Sequence, residues 1–170
     1  MDFVKAKEIL DTIQQMDPDH KETILKALGL AEHIETSSML FYTKEAEKTA
    51  GTELEGFFKF MISEETMHLK KIEELKGMLE RGDIEKIGFE IHTAPEMHAA
   101  IKSGQEEITA LLFALWREKK AAEFYSKAAE KSANSVKEFF SELAAFERGH
   151  VHLLEEYVEN MQNANELIMG

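Results

Sequence analysis

The chain has 170 residues, with 20 Lys and Arg against 33 Asp and Glu, a formal charge of −13; that balance argues against non-specific nucleic-acid binding, which needs a cationic face to release counterions. Glu supplies 28 of the acidic residues and Asp 5, while Pro and Gly number only 2 and 9, a helix-propagating composition without the turn residues that many short strands need. Cys is absent, which excludes disulfides, thiolate nucleophiles, iron–sulfur clusters and Cys-ligated zinc within these residues and leaves Glu, Asp and His as metal donors.

Residues 1–16 read as a short amphipathic helix without the apolar stretch of a secretion signal, and no segment approaches ~18 uninterrupted apolar residues. The expectation is therefore one all-α domain over 1–170, cytoplasmic and without membrane contact. Asp17-Pro18 marks an N-cap followed by proline at the first helical position, and it opens a first long helix over 17–51 that stops at Gly51. Thr52 and Glu55 form a capping-box pattern at the head of a second helix over 52–82. The segment 83–104, with Gly88, Pro95 and Gly104, reads as a crossover. Extended, it reaches roughly 75 Å, more than the ~43 Å of the second helix, so the second and third helices run parallel. Ser103 with Glu106 and Ser135 with Glu138 repeat the box before a third helix over 105–132 and a fourth over 135–163. Short turns make the first and second helices, and likewise the third and fourth, antiparallel neighbours.

The two halves of the chain align with each other at an offset of about 82 residues. Phe41-Tyr42 matches Phe124-Tyr125, Phe57-Phe58 matches Phe139-Phe140, and Glu65-Thr66-Met67-His68 matches Glu147-Arg148-Gly149-His150. Glu35 precedes Tyr42 by the same seven residues that separate Glu118 from Tyr125.

Residues three and four apart share one helix face. The aligned faces are Ala31, Glu35, Ser38 and Tyr42; Met61, Glu65, His68 and Ile72; Ala114, Glu118, Ala121 and Tyr125; and Leu143, Glu147, His150 and Leu154. Each otherwise apolar or small stripe thus carries one carboxylate, and two carry a His as well. Counted from the turns at 1.5 Å per residue, Glu35 and Glu65 lie ~25 and ~20 Å along the first hairpin, and Glu118 and Glu147 ~25 and ~18 Å along the second. Those heights are compatible with one shared site.

Four carboxylates in a low-dielectric interior repel one another unless neutralised, and two divalent cations would balance them. Carboxylate oxygen with imidazole nitrogen suits iron or manganese, with zinc a further candidate. The competing reading is a buried salt-bridge network, since Glu-x-x-His arises about once by chance in so Glu-rich a chain. The matched positions on inward faces favour a metal. His33 points away from Glu35, and His20, His92, His98 and His152 read as solvent-facing. Phe57, Phe58, Phe139, Phe140 and Trp116 read as core or dimer packing.

The six residues Glu35, Glu65, His68, Glu118, Glu147 and His150, with Phe-Tyr following each lone Glu, resemble the ferritin-like di-iron carboxylate proteins, most closely the rubrerythrin branch, over roughly residues 19–160. The arrangement of one Glu from each of two helices and Glu-x-x-His from the other two is a general feature of that superfamily. The resemblance implies a ferritin-like four-helix bundle of two hairpins joined by a long crossover, with a short extra N-terminal helix. It implies two iron ions, with Glu35 and Glu118 as terminal ligands, Glu65 and Glu147 as bridges, and His68 and His150 capping one metal each. Catalysis would run through those bound metals. Tyr42 and Tyr125 resemble the tyrosines that orient ligand carboxylates in such sites, with aromatic packing in the bundle core as the alternative for each.

Typical members also carry a Cys-ligated rubredoxin module, for which these residues hold no Cys, so a separate electron-donor protein or reductase is expected. They also have a further Glu where this chain has Ala121, so the resemblance stops short of their redox-linked ligand exchange. The implied activity is reduction of hydrogen peroxide or dioxygen in oxidative-stress defence by a homodimer, with helices swapped or not. The alternatives are a ferroxidase or iron-sequestering protein and a non-enzymatic metal-binding or interaction bundle.

Overall fold

The computed structural model of the chain describes residues 21–95 and 104–169. The expected helix over 1–16, the Asp17-Pro18 cap, His20, His98 and Ser103 lie outside the described residues. Four helices account for the rest: α1 (Lys21–Lys48), α2 (Glu53–Arg81), α3 (Gln105–Glu130) and α4 (Asn134–Met169).

The helix ends follow the expected order with three local differences. Thr52 does stand at the N-cap of α2 with extended backbone, but its hydroxyl donates to the Thr49 carbonyl at 2.7 Å instead of capping α2. Glu55 reaches back to the Gly51 N–H at 2.7 Å, so only half of the expected box forms, one residue early. At the head of α4 the helix begins at Asn134, whose φ of 49° is left-handed, a conformation that Asn tolerates better than most residues. Ser135 is therefore already inside the helix and cannot cap it. α4 also continues past the expected stop at 163. Gly82 ends α2 as the spacing predicts, with φ at 78° and its N–H donated to the Met78 carbonyl at 2.9 Å, the left-handed stop that glycine adopts without a Cβ penalty.

The apolar interior falls into two clusters, one at each end of the bundle. One gathers Leu28 and Ile34 of α1, Ile72 and Leu79 of α2, Phe124 and Ala128 of α3, and Phe139 and Leu143 of α4. The other gathers Ala46 of α1, Leu54 and Phe58 of α2, Leu111 and Ala114 of α3, and Leu154 and Val158 of α4. The start of α1 thus shares an end with the finish of α2, the finish of α3 and the start of α4. Within each hairpin the helices are antiparallel, and α2 and α3 run parallel, as the length of the crossover allows.

The internal repeat is visible in the packing of the rings. Tyr42 stacks on Phe58 at 6.1 Å between centroids, and Tyr125 stacks on Phe140 at 6.3 Å. Phe41 meets Tyr42, and Phe124 meets Tyr125, edge-on at 5.2 Å in both halves. Phe57, Phe58, Phe139 and Phe140 are core residues. Trp116 is instead 39% exposed on α3, near the exposed Phe113. In the described part of the crossover, Ile87 is buried and Phe89 packs on Phe139 and Phe146, so this segment lies against the bundle that it connects. No helix among the described residues is long and apolar enough to cross a membrane.

Candidate metal centre

Between the two apolar clusters lies a polar layer. All sixteen positions of the four aligned faces are buried, and the four carboxylates and two imidazoles among them meet at the bundle axis. The structure brings together all six residues singled out by the spacing. Ligand atoms of Glu35, Glu65, His68 and Glu147 lie within 4.8 Å of one another, and so do those of Glu65, Glu118, Glu147 and His150. Glu65 and Glu147 belong to both sets, while each of the other four residues belongs to one. His33 and His152 are exposed and take no part. Ala121 is buried in the apolar cluster that holds Leu28 and Phe139 and supplies no further carboxylate.

The two halves are cross-linked at this layer by their tyrosines. The Tyr42 hydroxyl of α1 donates to Oε1 of Glu118 on α3, and the Tyr125 hydroxyl of α3 donates to Oε1 of Glu35 on α1. The seven-residue spacing explains the exchange: two helical turns carry each Tyr along the same face as its own Glu, to the level where the opposite helix presents its carboxylate. A third tie between these helices comes from Arg117, whose Nη2 donates to the hydroxyls of Ser37 at 2.9 Å and Ser38 at 3.0 Å.

The imidazoles face the carboxylates. His68 Nδ1 lies 3.2 Å from Glu147 Oε1 and 3.5 Å from Glu35 Oε2. His150 Nδ1 lies 3.3 Å from Glu118 Oε2 and 3.4 Å from Glu147 Oε2. Several of these atoms are within ion-pair distance without hydrogen-bonding geometry. Glu35 Oε2, Glu65 Oε1, both Glu147 oxygens, both His68 nitrogens and His150 Nε2 are buried with no hydrogen-bond partner among the described residues. Buried polar atoms are ordinarily paired, so a convergent group of unpaired oxygen and nitrogen donors is one that could hold a metal ion.

Electrostatics support the same conclusion. Burial, followed by repulsion from Glu35 and Glu118, pushes the Glu65 carboxyl well above the usual carboxylate range. Burial and Glu118 raise Glu147 to about 7. Burial would also raise Glu35, but hydrogen bonds from Glu65 and His68 outweigh it and hold Glu35 below its ordinary value. For Glu118 the same opposition of burial is overcome by Glu147 and His150, which lower it to about 2. Burial opposes charge on the imidazoles, yet Glu147 and Glu35 raise His68 to about 9, and Glu118 and Glu147 raise His150 well above its ordinary value. The shifts at Glu65, Glu147, His68 and His150 all favour the protonated forms, in the direction that lowers the net negative charge of the layer.

Two functional candidates escaped the spacing argument. Arg117 is buried beside Glu118, with its guanidinium 5.5 Å from the Phe41 ring centre. Glu64 is buried beside Glu65, with Oε1 at 2.5 Å from Nδ1 of His92. His92, expected at the surface, is 37% exposed but turns inward to make this contact.

The family model described as Rubrerythrin matches residues 26–158, a span that contains all six clustered residues. No curated protein and no solved structure matches the chain.

Proposed function

The chain belongs to the rubrerythrin family of the ferritin-like di-iron superfamily, and on that premise we propose that it reduces hydrogen peroxide, or dioxygen, with electrons from a separate donor. The observation that carries this reading is the pair of overlapping ligand sets sharing Glu65 and Glu147. Two sets with two common carboxylates suit two adjacent cations, the arrangement in which a pair of metals acts on one small substrate. The all-oxygen and nitrogen donor set fits iron.

Glu35, Glu65, His68 and Glu147 would hold one iron, and Glu65, Glu118, Glu147 and His150 the other. Bound there as Fe(II), the pair supplies one electron each, the two electrons that, with two protons, convert hydrogen peroxide to two waters. The protein's own part is positional and electrostatic. Tyr125 and Tyr42 fix one oxygen each of Glu35 and Glu118, which leaves Glu35 Oε2 without a hydrogen-bond partner among the described residues and Glu118 Oε2 facing His150 Nδ1 at 3.3 Å. The stacked rings at either end, Tyr42 on Phe58 and Tyr125 on Phe140, exclude water from the layer and keep its carboxylates in a low-dielectric setting. The 170 residues hold no Cys-ligated iron of their own, which is why the reading includes a separate reductant.

Anaerobic reconstitution with Fe(II) and elemental analysis test the proposal. Two irons per chain, with visible absorption of ferric iron after one equivalent of peroxide, are expected. Substoichiometric metal would contradict it.

A further inference from the structure

The internal repeat makes the two halves of the metal layer nearly equivalent, and one pair of aligned positions breaks that equivalence. The residue before Glu65 is Glu64, and the residue before Glu147 is Phe146. Each stands behind the imidazole of the opposite helix. Phe146 of α4 packs edge-on against the His68 ring of α2 at 5.5 Å, while Glu64 of α2 places Oε2 3.6 Å from Nε2 of His150 on α4. The far side of His68 is completed by another ring, Phe89 of the crossover, at 6.4 Å. On the far side of His150 the crossover instead contributes His92, whose Nδ1 lies 2.5 Å from Glu64 Oε1. A pocket of about 450 Å³ opens beside this arm, with Glu64, His92 and His150 in its wall.

We infer that Glu64 is a positioning residue for His150, held in place by His92 of the crossover, and that it makes the two cation positions unequal, with the His150 side binding a divalent metal more tightly. A carboxylate at ion-pair distance behind an imidazole favours the form with the proton on Nε2, which leaves the Nδ1 lone pair directed at the metal position and makes that nitrogen a stronger donor. Nδ1 is the atom of His150 that already faces Glu118 and Glu147. Phe146 and Phe89, the rings packed on His68, have no acceptor that could select the corresponding tautomer. Glu64 also adds a carboxylate charge near the His150 side that the His68 side lacks, which favours a cation there. His92 limits the freedom of Glu64, because a carboxylate at a pocket wall would otherwise turn to water.

This inference rests on the two-metal reading, and one experiment separates the two. Metal-free protein is titrated anaerobically with Co(II) alone, followed by calorimetry and by the visible absorption of each bound equivalent. The wild type is expected to bind two equivalents of different affinity. Glu64→Leu should weaken the tighter equivalent about 10- to 100-fold and alter its spectrum, while the weaker one stays within about twofold. Glu64→Gln, which keeps the shape and a carbonyl acceptor, should restore part of the loss. His92→Ala, at the rim and away from the ligands, should weaken the same equivalent by a smaller factor. If Glu64→Leu leaves both equivalents unchanged or weakens both alike, the positioning role is overturned while the two-metal reading stands. A wild type that does not bind two equivalents overturns both.

Discussion

Tyr125 of α3 donates its hydroxyl to Glu35 of α1, and Tyr42 of α1 returns the same bond to Glu118 of α3. The exchange joins two hairpins that pack chiefly within themselves, and it fixes one oxygen of each outer carboxylate at the level where the shared Glu65 and Glu147 lie. Fold and site are therefore stabilised by the same pair of bonds.

Tyr125→Phe should remove a buried bond to a charged acceptor at no cost in ring packing. Hydrogen bonds of that kind contribute about 1.5–3 kcal/mol, so urea denaturation of metal-free protein should show a loss in that range, with Tyr42→Phe similar. A change below about 0.5 kcal/mol for both would mean that the bonds add no net stability.

The shared carboxylates separate from the outer ones by stoichiometry. Glu147→Gln should weaken both equivalents of a divalent metal by at least about tenfold, whereas Glu35→Gln should weaken chiefly one. Equal effects from the two substitutions, measured by calorimetry, would contradict the overlapping sets.

The pH dependence has opposite signs with and without metal. In the metal-free protein Glu65, Glu147, His68 and His150 all have raised pKa values. The folded state therefore holds protons that the unfolded state has released, and stability falls as pH rises. For Glu147 the fall runs from the ordinary carboxyl value of 4.5 up to about 7, and for His68 from 6.5 up to about 9. Glu118, lowered to about 2, contributes stability that is lost only as pH drops from 4.5 through that value. Thermal melts of metal-free protein should thus move to lower temperature between pH 6 and 9. Cation binding must displace those protons, so the metal-induced rise in melting temperature should grow over the same interval. A metal effect that does not change with pH would show that these groups are not the ligands.

The crowded rings give a stability test independent of metal. Phe58 is fully buried and stacked on Tyr42, so Phe58→Ala should cost about 3–5 kcal/mol. Its repeat partner Phe140, stacked on Tyr125, should cost a similar amount. A loss under about 1 kcal/mol at either position would mean that the core collapses around the deletion.

Much of this arrangement was legible in the sequence because two periodicities coincide in it. A carboxylate in an otherwise apolar 3.6-residue stripe is conspicuous, and finding it again at the same offset as Phe41-Tyr42 and Phe124-Tyr125 places it on the bundle axis. Glu64 and Arg117 were not legible. Each is adjacent to a clustered Glu and so lies about 100° around the helix from it, on a flank that reads as solvated. The partner of Glu64 is His92 of the crossover, an aperiodic segment whose path no stripe predicts, and His92 makes that contact while staying exposed as read. Arg117 is kept inside by Ser37 and Ser38, hydroxyls from another helix that carry no periodic signal. Capping motifs located the starts of α2 and α4 to within a residue but not their hydrogen bonds, since Asn134 could take the left-handed conformation one residue ahead of Ser135.

The most direct test of the central claim compares two oxidants on one sample. Protein loaded anaerobically with two Fe(II) per chain is mixed with one equivalent of hydrogen peroxide or with air-saturated buffer, and ferric absorption is followed by stopped flow. The account predicts that both irons are oxidised by the single equivalent of peroxide, markedly faster than by air. Oxidation by peroxide no faster than by air would contradict a peroxide-reducing centre.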